Sequence, residues 1–365
     1  MRIGVDLRSL QEKEQAGISR YTSLLCESLV KIDKENKYFF YFNTCKDIDY
    51  PEFTKQGTII HNRVPSRLFN FCSHYLGFPI LDKKDNLDIF WQPSFNFIRL
   101  SKNVSKIITV HDLSWLINPR WYSYKMRLWH RLQGVAKIVT MANKIIAVSK
   151  SSAADLKYFF HTPDNKIEVI YSGFSIEKDL ENNKLHIGLK NDYLLFVGAI
   201  EPRKNVLGII QTWENIYDKY PDYRKIHFVI MGTSGWSNNE VHKAMKNSKY
   251  SDLFHYVGYT SDEERHCYIK HSKGLIWPSF YEGFGHPPLE ALGRSKPVIT
   301  GNGSSLTEIV KNNAILIDPY NIADIEAAII ELIKNPIKVN KDIVNEYSWE
   351  KTAEEYIKIF NNFKK

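Results

Sequence analysis

Apolar residues in this chain come in short unbroken runs, not in strict alternation. In the first half they fall at residues 2–7, 38–42, 89–92, 106–110, 144–148 and 168–170. In the second half they fall at 193–197, 226–231, 254–257, 274–277, 297–299 and 314–317. The runs are rich in β-branched and aromatic residues, and helix-like stretches separate them. Unbroken apolar strands alternating with helices predict parallel sheets covered on both faces. Two such series predict two doubly wound α/β domains, at 1–173 and 190–345. Residues 173–191, with the polar run Glu177-Lys178-Asp179-Leu180-Glu181-Asn182-Asn183-Lys184, lack periodicity and read as a linker. Residues 346–365 read as a closing helix that returns towards the first domain. Open parallel sheets bind ligands beyond the carboxyl ends of their strands, so function is expected where strands end, with both sets of ends facing a central cleft.

Length agrees with two cores. The chain has 365 residues, and a single core stops growing near about 250–300. Charge narrows the partners: a net +8 favours anionic ones, namely phosphorylated substrates, nucleic acid or an anionic membrane face, with a lysine-rich solvated surface as the bland alternative. Cys26, Cys45, Cys72 and Cys267 are scattered without metal-ligand spacing, which fits a reducing cytoplasm. No run approaches the roughly 18 apolar residues of a membrane-spanning helix.

Three strand ends carry candidate chemistry. After the run at 274–277 comes Pro278-Ser279-Phe280-Tyr281-Glu282-Gly283-Phe284-Gly285-His286-Pro287-Pro288-Leu289-Glu290. The glycines permit close backbone approach to a ligand, and the prolines suit a first helical turn. The helix start suits a phosphate or a sugar hydroxyl. Glu290, expected in that first turn, suits a vicinal diol such as ribose, and Glu282 a sugar hydroxyl. After 193–197 comes Gly198-Ala199-Ile200-Glu201-Pro202-Arg203-Lys204-Asn205, where Arg203 and Lys204 suit a pyrophosphate. After 106–110 comes His111-Asp112-Leu113: His111 suits a substrate hydroxyl or carbonyl, and Asp112 is either a base or a cap. Gly17, at the mouth of the first helix, again suits phosphate approach. Asp47-Ile48-Asp49 has a metal-binding form but reads as a solvated turn, and no zinc cluster, phosphate loop or dinucleotide fingerprint is present.

In these residues the chain resembles the retaining glycosyltransferases of the GT-B fold, the group that includes bacterial mannosyltransferases. Glu282 and Glu290 match its Glu-x7-Glu motif. Residues 201–205 match its Glu-Pro-Arg-Lys-Asn stretch, 257–264 its Val-Gly-Tyr-x-Ser-Asp-Glu-Glu segment, and 110–113 its first-domain histidine motif. Ser304-Ser305-Leu306-Thr307-Glu308 is similar to its Ser-Ser-Leu-Pro-Glu, with threonine for proline. The resemblance implies that Arg203 and Lys204 hold the donor pyrophosphate and that Glu290 holds the ribose. Glu282 and the backbone of Phe284, Gly285 and His286 would hold the sugar, and His111 would sit near the anomeric centre. Val257, Gly258 and Tyr259 would frame the base, Gly198 would line the donor site, and Gly17 would approach the β-phosphate. Many relatives carry two glycines where this chain has Gly17-Ile18. The reaction implied is transfer with retention, without metal or cofactor, from a nucleotide sugar, GDP-mannose favoured. The implied acceptor is a growing cell-surface polysaccharide, O-antigen or lipid-linked glycan. No nucleic-acid partner is implied.

The acceptor side is less explicit. Residues 63–71 and 120–131 mix basic and aromatic side chains, which suits peripheral contact with an anionic membrane, a nucleic-acid groove, or helices packed on their own domain. A cytoplasmic protein with a peripheral place on the inner face of the membrane is the expectation. Competing readings are transfer from UDP-, ADP- or dTDP-hexose, a glycosidase or phosphorylase using Glu282 and Glu290 as acid and base, and a basic binding module without catalysis.

Overall fold

The computed structural model describes residues 1–11, 17–96, 98–176, 192–235, 238–335 and 337–364. Seven strands form the first sheet: β1 (Arg2–Asp6), β2 (Lys37–Asn43), β3 (Thr58–Asn62), β4 (Ile89–Gln92), β5 (Ser105–Val110), β6 (Lys144–Ala147) and β7 (Ile167–Val169). Their order is β3-β2-β1-β4-β5-β6-β7, and every pairing is parallel. Six strands form the second: β8 (Asp192–Val197), β9 (Ile226–Met231), β10 (Phe254–Gly258), β11 (Gly274–Trp277), β12 (Val298–Gly301) and β13 (Ile315–Ile317). Their order is β10-β9-β8-β11-β12-β13, again all parallel. Both sheets are doubly wound and Rossmann-like, as the run pattern predicts. Each reverses its order beside its first strand, between β1 and β4 and between β8 and β11.

Central strands are apolar on both faces because helices cover both. Ile3, Val5, Ile89, Phe90 and Trp91 are fully buried in the first sheet, and Leu194, Leu195, Phe196, Phe228 and Ile276 in the second. Phe196 and Trp277 stack across the β8–β11 seam, with ring centroids 4.9 Å apart. The strand absent from the run pattern is β3. Thr-Ile-Ile-His-Asn lies at the sheet edge with no residue fully buried, so it lacks the apolar continuity that betrays a central strand. Asp47, just before it, pairs with Arg63 at 2.9 Å, both exposed, so this acid belongs to a solvated turn.

The chain divides into two compact units. One comprises Met1–Ile117, Tyr124–Gly173 and Tyr347–Lys365, and the other Asn118–Ser123 and Phe174–Glu346. The helix Trp349–Asn361 packs in the first unit. Tyr356 Oη lies 2.7 Å from Tyr21 Oη and 2.6 Å from Thr109 Oγ1, and Thr109 Oγ1 also accepts from Trp91 Nε1 at 2.9 Å. Gly173 is required there, since a Cβ would fall 2.4 Å from the Trp349 ring. Most of the expected linker, from 177 to 191, lies outside the described residues.

Candidate functional site

The order reversal places the carboxyl ends of β8 and β11 side by side in the second unit, and both charged motifs leave the sheet there. Such a switch point opens a crevice above the sheet. From β8 the chain runs through Gly198 into the short turn Pro202–Lys204, and from β11 it runs into the loop that precedes the helix His286–Gly293. The two segments are joined directly, with Phe280 N donating to Arg203 O at 2.9 Å.

Arg203 is buried and committed to that junction. Its Nη1 donates to Tyr281 O at 2.5 Å and to Glu282 Oε2 at 2.7 Å, and its Nη2 reaches Glu201 Oε2 at 3.3 Å. Arg203 and Glu282 side chains are each 10% exposed. Glu282 Oε1 accepts from Ser279 Oγ at 2.8 Å, and Glu282 N donates to Ser304 Oγ at 2.9 Å. Ser305 Oγ donates to Glu282 O at 2.9 Å and to Phe284 O at 2.7 Å. The Ser304-Ser305 stretch therefore braces the glycine loop. Glu282 keeps lone pairs for a ligand, because a carboxylate offers about four acceptor positions and protein fills two.

Lys204 stands apart from this network. Its Nζ lies 4.7 Å from the Trp277 ring centroid, and it has no carboxylate in ion-pair range among the described residues. A Cβ on Gly198 would come within 2.9 Å of that Nζ. With Glu201 and Glu282 both turned to Arg203, Lys204 carries the uncompensated positive charge of the crevice.

Three adjoining strands end on bare backbone. Gly198, Gly232 and Gly258 follow or close β8, β9 and β10 with φ of 152°, 141° and 83°. Gly198 N donates to Met231 O at 2.7 Å, and Gly232 N to Gly258 O at 2.8 Å. A Cβ on Gly232 would stand 2.1 Å from Gly198 O, so that position admits no side chain. Gly258 has open space around it and needs glycine for its φ alone. It lies between half-buried Val257 and Tyr259, which is 65% exposed.

The helix His286–Gly293 corrects one expectation. Gly285 caps it at φ 109° and His286 is its first residue, so Glu290 is fifth and lies beyond the first turn. Pro287 and Pro288 also remove two of the amides that a helix start leaves unpaired. Glu290 is buried and faces Arg265 of the neighbouring helix Asp262–His271, with Oε2 3.0 Å from Nε. Beside them His266 is pushed down to about 4, by burial first and then by the charges of Arg294 and Arg265.

His111 and Gly17 belong to the first unit. His111 closes β5, its Nε2 lies 2.8 Å from Pro93 O, and its ring meets Tyr21 edge-on at 4.7 Å. A carbonyl only accepts, so Nε2 carries the proton. Burial lowers the His111 pKa, against the Pro93 bond and the Asp112 charge, which keeps the ring neutral and leaves Nδ1 as an acceptor. Nδ1 can therefore accept a hydrogen bond, though as a weaker base than a free imidazole. Asp112 is a cap: its Oδ1 accepts from Ser114 N at 3.0 Å and Ser114 Oγ at 2.6 Å. Gly17 opens the helix Gly17–Ile32, exposed and with nothing within 4 Å of a notional Cβ. Ser304 and Ser305 fall in a stretch the sequence singles out, but their bracing role is not visible there because their partners are distant in the chain, and Arg265 carries no sequence signal of its own.

Comparison with known proteins bears on this geometry. Residues 177–349 match the family described as Glycosyl transferases group 1, and residues 16–178 match Glycosyltransferase Family 4. O-antigen chain mannosyltransferase B of Escherichia coli is 26% identical over 238 residues, covering 63% of this chain and 61% of that protein, which is under two thirds of its length. Sucrose-phosphate synthase from Thermosynechococcus elongatus superposes with a TM-score of 0.78 at 16% identity, over 99% of this chain and 98% of that one. Anabaena HepE in complex with UDP-glucose gives a TM-score of 0.73 at 15% identity, over 99% and 100%. At such identities the likeness to these two structures is one of fold.

Proposed function

We infer that this chain, a GT-B glycosyltransferase by fold and by the sequence of both its halves, transfers a hexose from a nucleotide sugar to a growing surface glycan. The observation that carries the reading is the β8–β11 crevice. There a lysine without a carboxylate partner, a braced carboxylate and a glycine backbone floor meet at one switch point. In this reading Lys204 takes the donor pyrophosphate. Arg203 holds Glu282 so that its remaining lone pairs face the sugar hydroxyls, with the amides of Gly285 and His286 beside it. Glu290 takes the ribose, Val257, Gly258 and Tyr259 frame the base, Gly17 approaches the β-phosphate, and neutral His111 accepts from a sugar hydroxyl.

GDP-mannose is the favoured donor, because the matched Escherichia coli relative is named a mannosyltransferase. Transfer proceeds with retention and without a metal. The acceptor oxygen bonds to the anomeric carbon on the face the nucleoside diphosphate leaves. The departing phosphate oxygen takes the acceptor proton, and Lys204 stabilises the charge left on the diphosphate. The acceptor is an O-antigen or other lipid-linked glycan, drawn from an anionic membrane surface. Support for that surface is the helix Tyr124–Leu132, which buries none of its residues and bears Lys125, Arg127 and Arg131 with no acid. Tyr124, Leu128, Trp129 and Leu132 lie exposed along it. No described helix is long and apolar enough to cross a membrane.

The test is turnover of GDP-mannose against UDP-, ADP- and dTDP-hexoses, with and without EDTA, and with NMR assignment of the product anomer. GDP-mannose consumption unaffected by EDTA, giving the α product, is expected. Turnover with another donor replaces mannose, while absence of turnover and of binding with all four sinks the reading.

A further inference from the structure

One exposed ring at the strand ends of the second unit is left unused by the roles above. Tyr320 follows β13 and is 70% exposed. Single exposed apolar side chains are ordinary, so exposure alone says little. This one is held in place. Its ring lies against Phe280, with 4.4 Å between centroids and 30° between planes. Phe280 also stacks on buried Trp121, at 5.9 Å and 9°. Trp121 belongs to residues 118–123, which cluster with the second unit, so the three rings form one ladder inside that unit.

The backbone under the ring is fixed as firmly. Tyr320 N donates to Asp318 Oδ1 at 2.9 Å, and the next residue, Asn321, caps the helix Ile322–Lys334. Pro319 O accepts from Asn205 Nδ2 at 2.7 Å. Asn205 follows Lys204, while Phe280 donates its N–H to Arg203 O and stands two residues before Glu282. Both motifs of the crevice therefore hold Tyr320, one through its backbone and one through its ring. A tyrosine that served only to cover Phe280 would bury more of itself, since the stabilisation scales with the apolar area removed from water.

An aromatic face is electron-rich and attracts the weakly positive C–H groups on the apolar face of a pyranose. Such stacking tolerates differing hydroxyl patterns but needs a ring that stays put. Position says which sugar it meets. The bare glycine backbone lies at the ends of β8, β9 and β10, and Glu282 follows β11. Tyr320 follows β13, two strands further in the same direction, or about 10 Å at the usual strand spacing. The sugar beyond the donor sugar in that direction is the acceptor's.

We propose that Tyr320, backed by Phe280 and Trp121, is a stacking platform for the terminal pyranose of the acceptor glycan. The proposal rests on the donor-site reading above and deepens it by giving the acceptor a contact in the second unit. Selection at this contact is for a pyranose with an apolar face, not for one particular hydroxyl.

The experiment is saturation-transfer NMR of the full chain with the methyl glycosides of mannose, glucose and galactose, in wild type, Y320A and Y320F. It is run with and without the 2-fluoro analogue of GDP-mannose, and binding of that analogue, GDP and UDP is measured by calorimetry. In wild type, saturation is expected to concentrate on the C–H protons of one pyranose face and to persist when the donor analogue is bound. Y320A is expected to weaken glycoside affinity by about threefold to tenfold, the worth of one stacked aromatic contact, and to even out the saturation pattern. Y320F keeps the ring and is expected to keep both affinity and pattern. Tm and nucleotide affinity should stay close to wild type in both variants. The proposal is overturned by a wild type that shows no glycoside saturation, by saturation that the donor analogue abolishes, by a Y320A that keeps the wild-type affinity and pattern, or by a Y320F as impaired as Y320A. A wild type that stacks glycosides on Tyr320 yet binds neither the analogue nor GDP nor UDP sinks the donor-site reading and leaves the stacking contact standing.

Discussion

The two sheets share one strand order from the edge through the reversal, and they use their strand ends in opposite ways. In the first unit the acids at strand ends find their charged or capping partners locally, and what reaches Asp6 across the reversal is a neutral amide, Asn96 Nδ2 donating to Asp6 Oδ2 at 3.3 Å. Asp6 closes on Arg8 at 2.8 Å, with side chains 1% and 9% exposed, and Asp112 caps Ser114. In the second unit the corresponding charges reach across the reversal, Arg203 from the end of β8 to Glu282 beyond β11. One topology therefore yields a rigid platform when its charges pair with near neighbours in sequence, and a crevice when they pair across the switch point. The glycines agree. Gly198, Gly232 and Gly258 give the second sheet a backbone floor, whereas the first sheet ends β5 with the side chain of His111.

Breaking the reach across the reversal should have the largest effect. Arg203→Ala leaves Glu282 buried beside Ser279 without its cation, and loss of one partner of a buried pair costs about 3–5 kcal/mol. A large fall in Tm together with loss of nucleotide binding is expected, by thermal melting and calorimetry; a variant that melts like wild type would show that the junction does not depend on the pair. Lys204→Ala separates chemistry from architecture. Turnover should fall by about 10²–10³, the usual loss for a charge-stabilising group, with Tm nearly unchanged. A loss of stability without loss of rate would reverse the roles given to the two cations.

The pH dependence sharpens the contrast further. His266 is neutral in the folded state down to about 4, because burial and the neighbouring Arg294 and Arg265 oppose its charge. Unfolded histidine protonates near about 6.5. Below that value the unfolded state binds the extra proton, so stability is complete above it and is lost as pH falls towards 4. Chemical denaturation between pH 7 and 4 should show this slope, and His266→Gln should flatten it. The smallest effect belongs to the first unit: Asp112→Ala removes a cap worth about 1 kcal/mol and should leave turnover unaltered. A rate defect in that variant would make Asp112 a participant in the chemistry.

Much of the architecture is legible in the sequence because a strand buried on both faces must be apolar throughout. The nine interior strands announce themselves that way, and the edge strands β7, β10 and β13 show only as short apolar runs. β3 does not, since an edge strand needs only half a covering and Thr58 and His61 sit comfortably on it. The charged motifs are legible as segments and opaque as a network. Arg203 and Glu282 are 79 positions apart and meet only because β11 inserts beside β8. Glu290 lies beyond the first turn for a local reason. Pro287-Pro288 signals a helix start, but the left-handed Gly285 lets His286 begin the helix ahead of both prolines. Arg265 gives no sign at all, because only the register of two neighbouring helices brings it to Glu290.

The helix Trp349–Asn361 has a bearing on biogenesis. Trp349, Tyr356 and Phe360 are buried in the first unit, and Tyr356 completes the hydroxyl chain from Tyr21 through Thr109 to Trp91. A ribosome delivers these residues only after the whole of the second sheet has been made. The domain synthesised first thus emerges with an open seam in its core and is sealed last, so during translation the exposed Trp91 face is where a chaperone has most to protect.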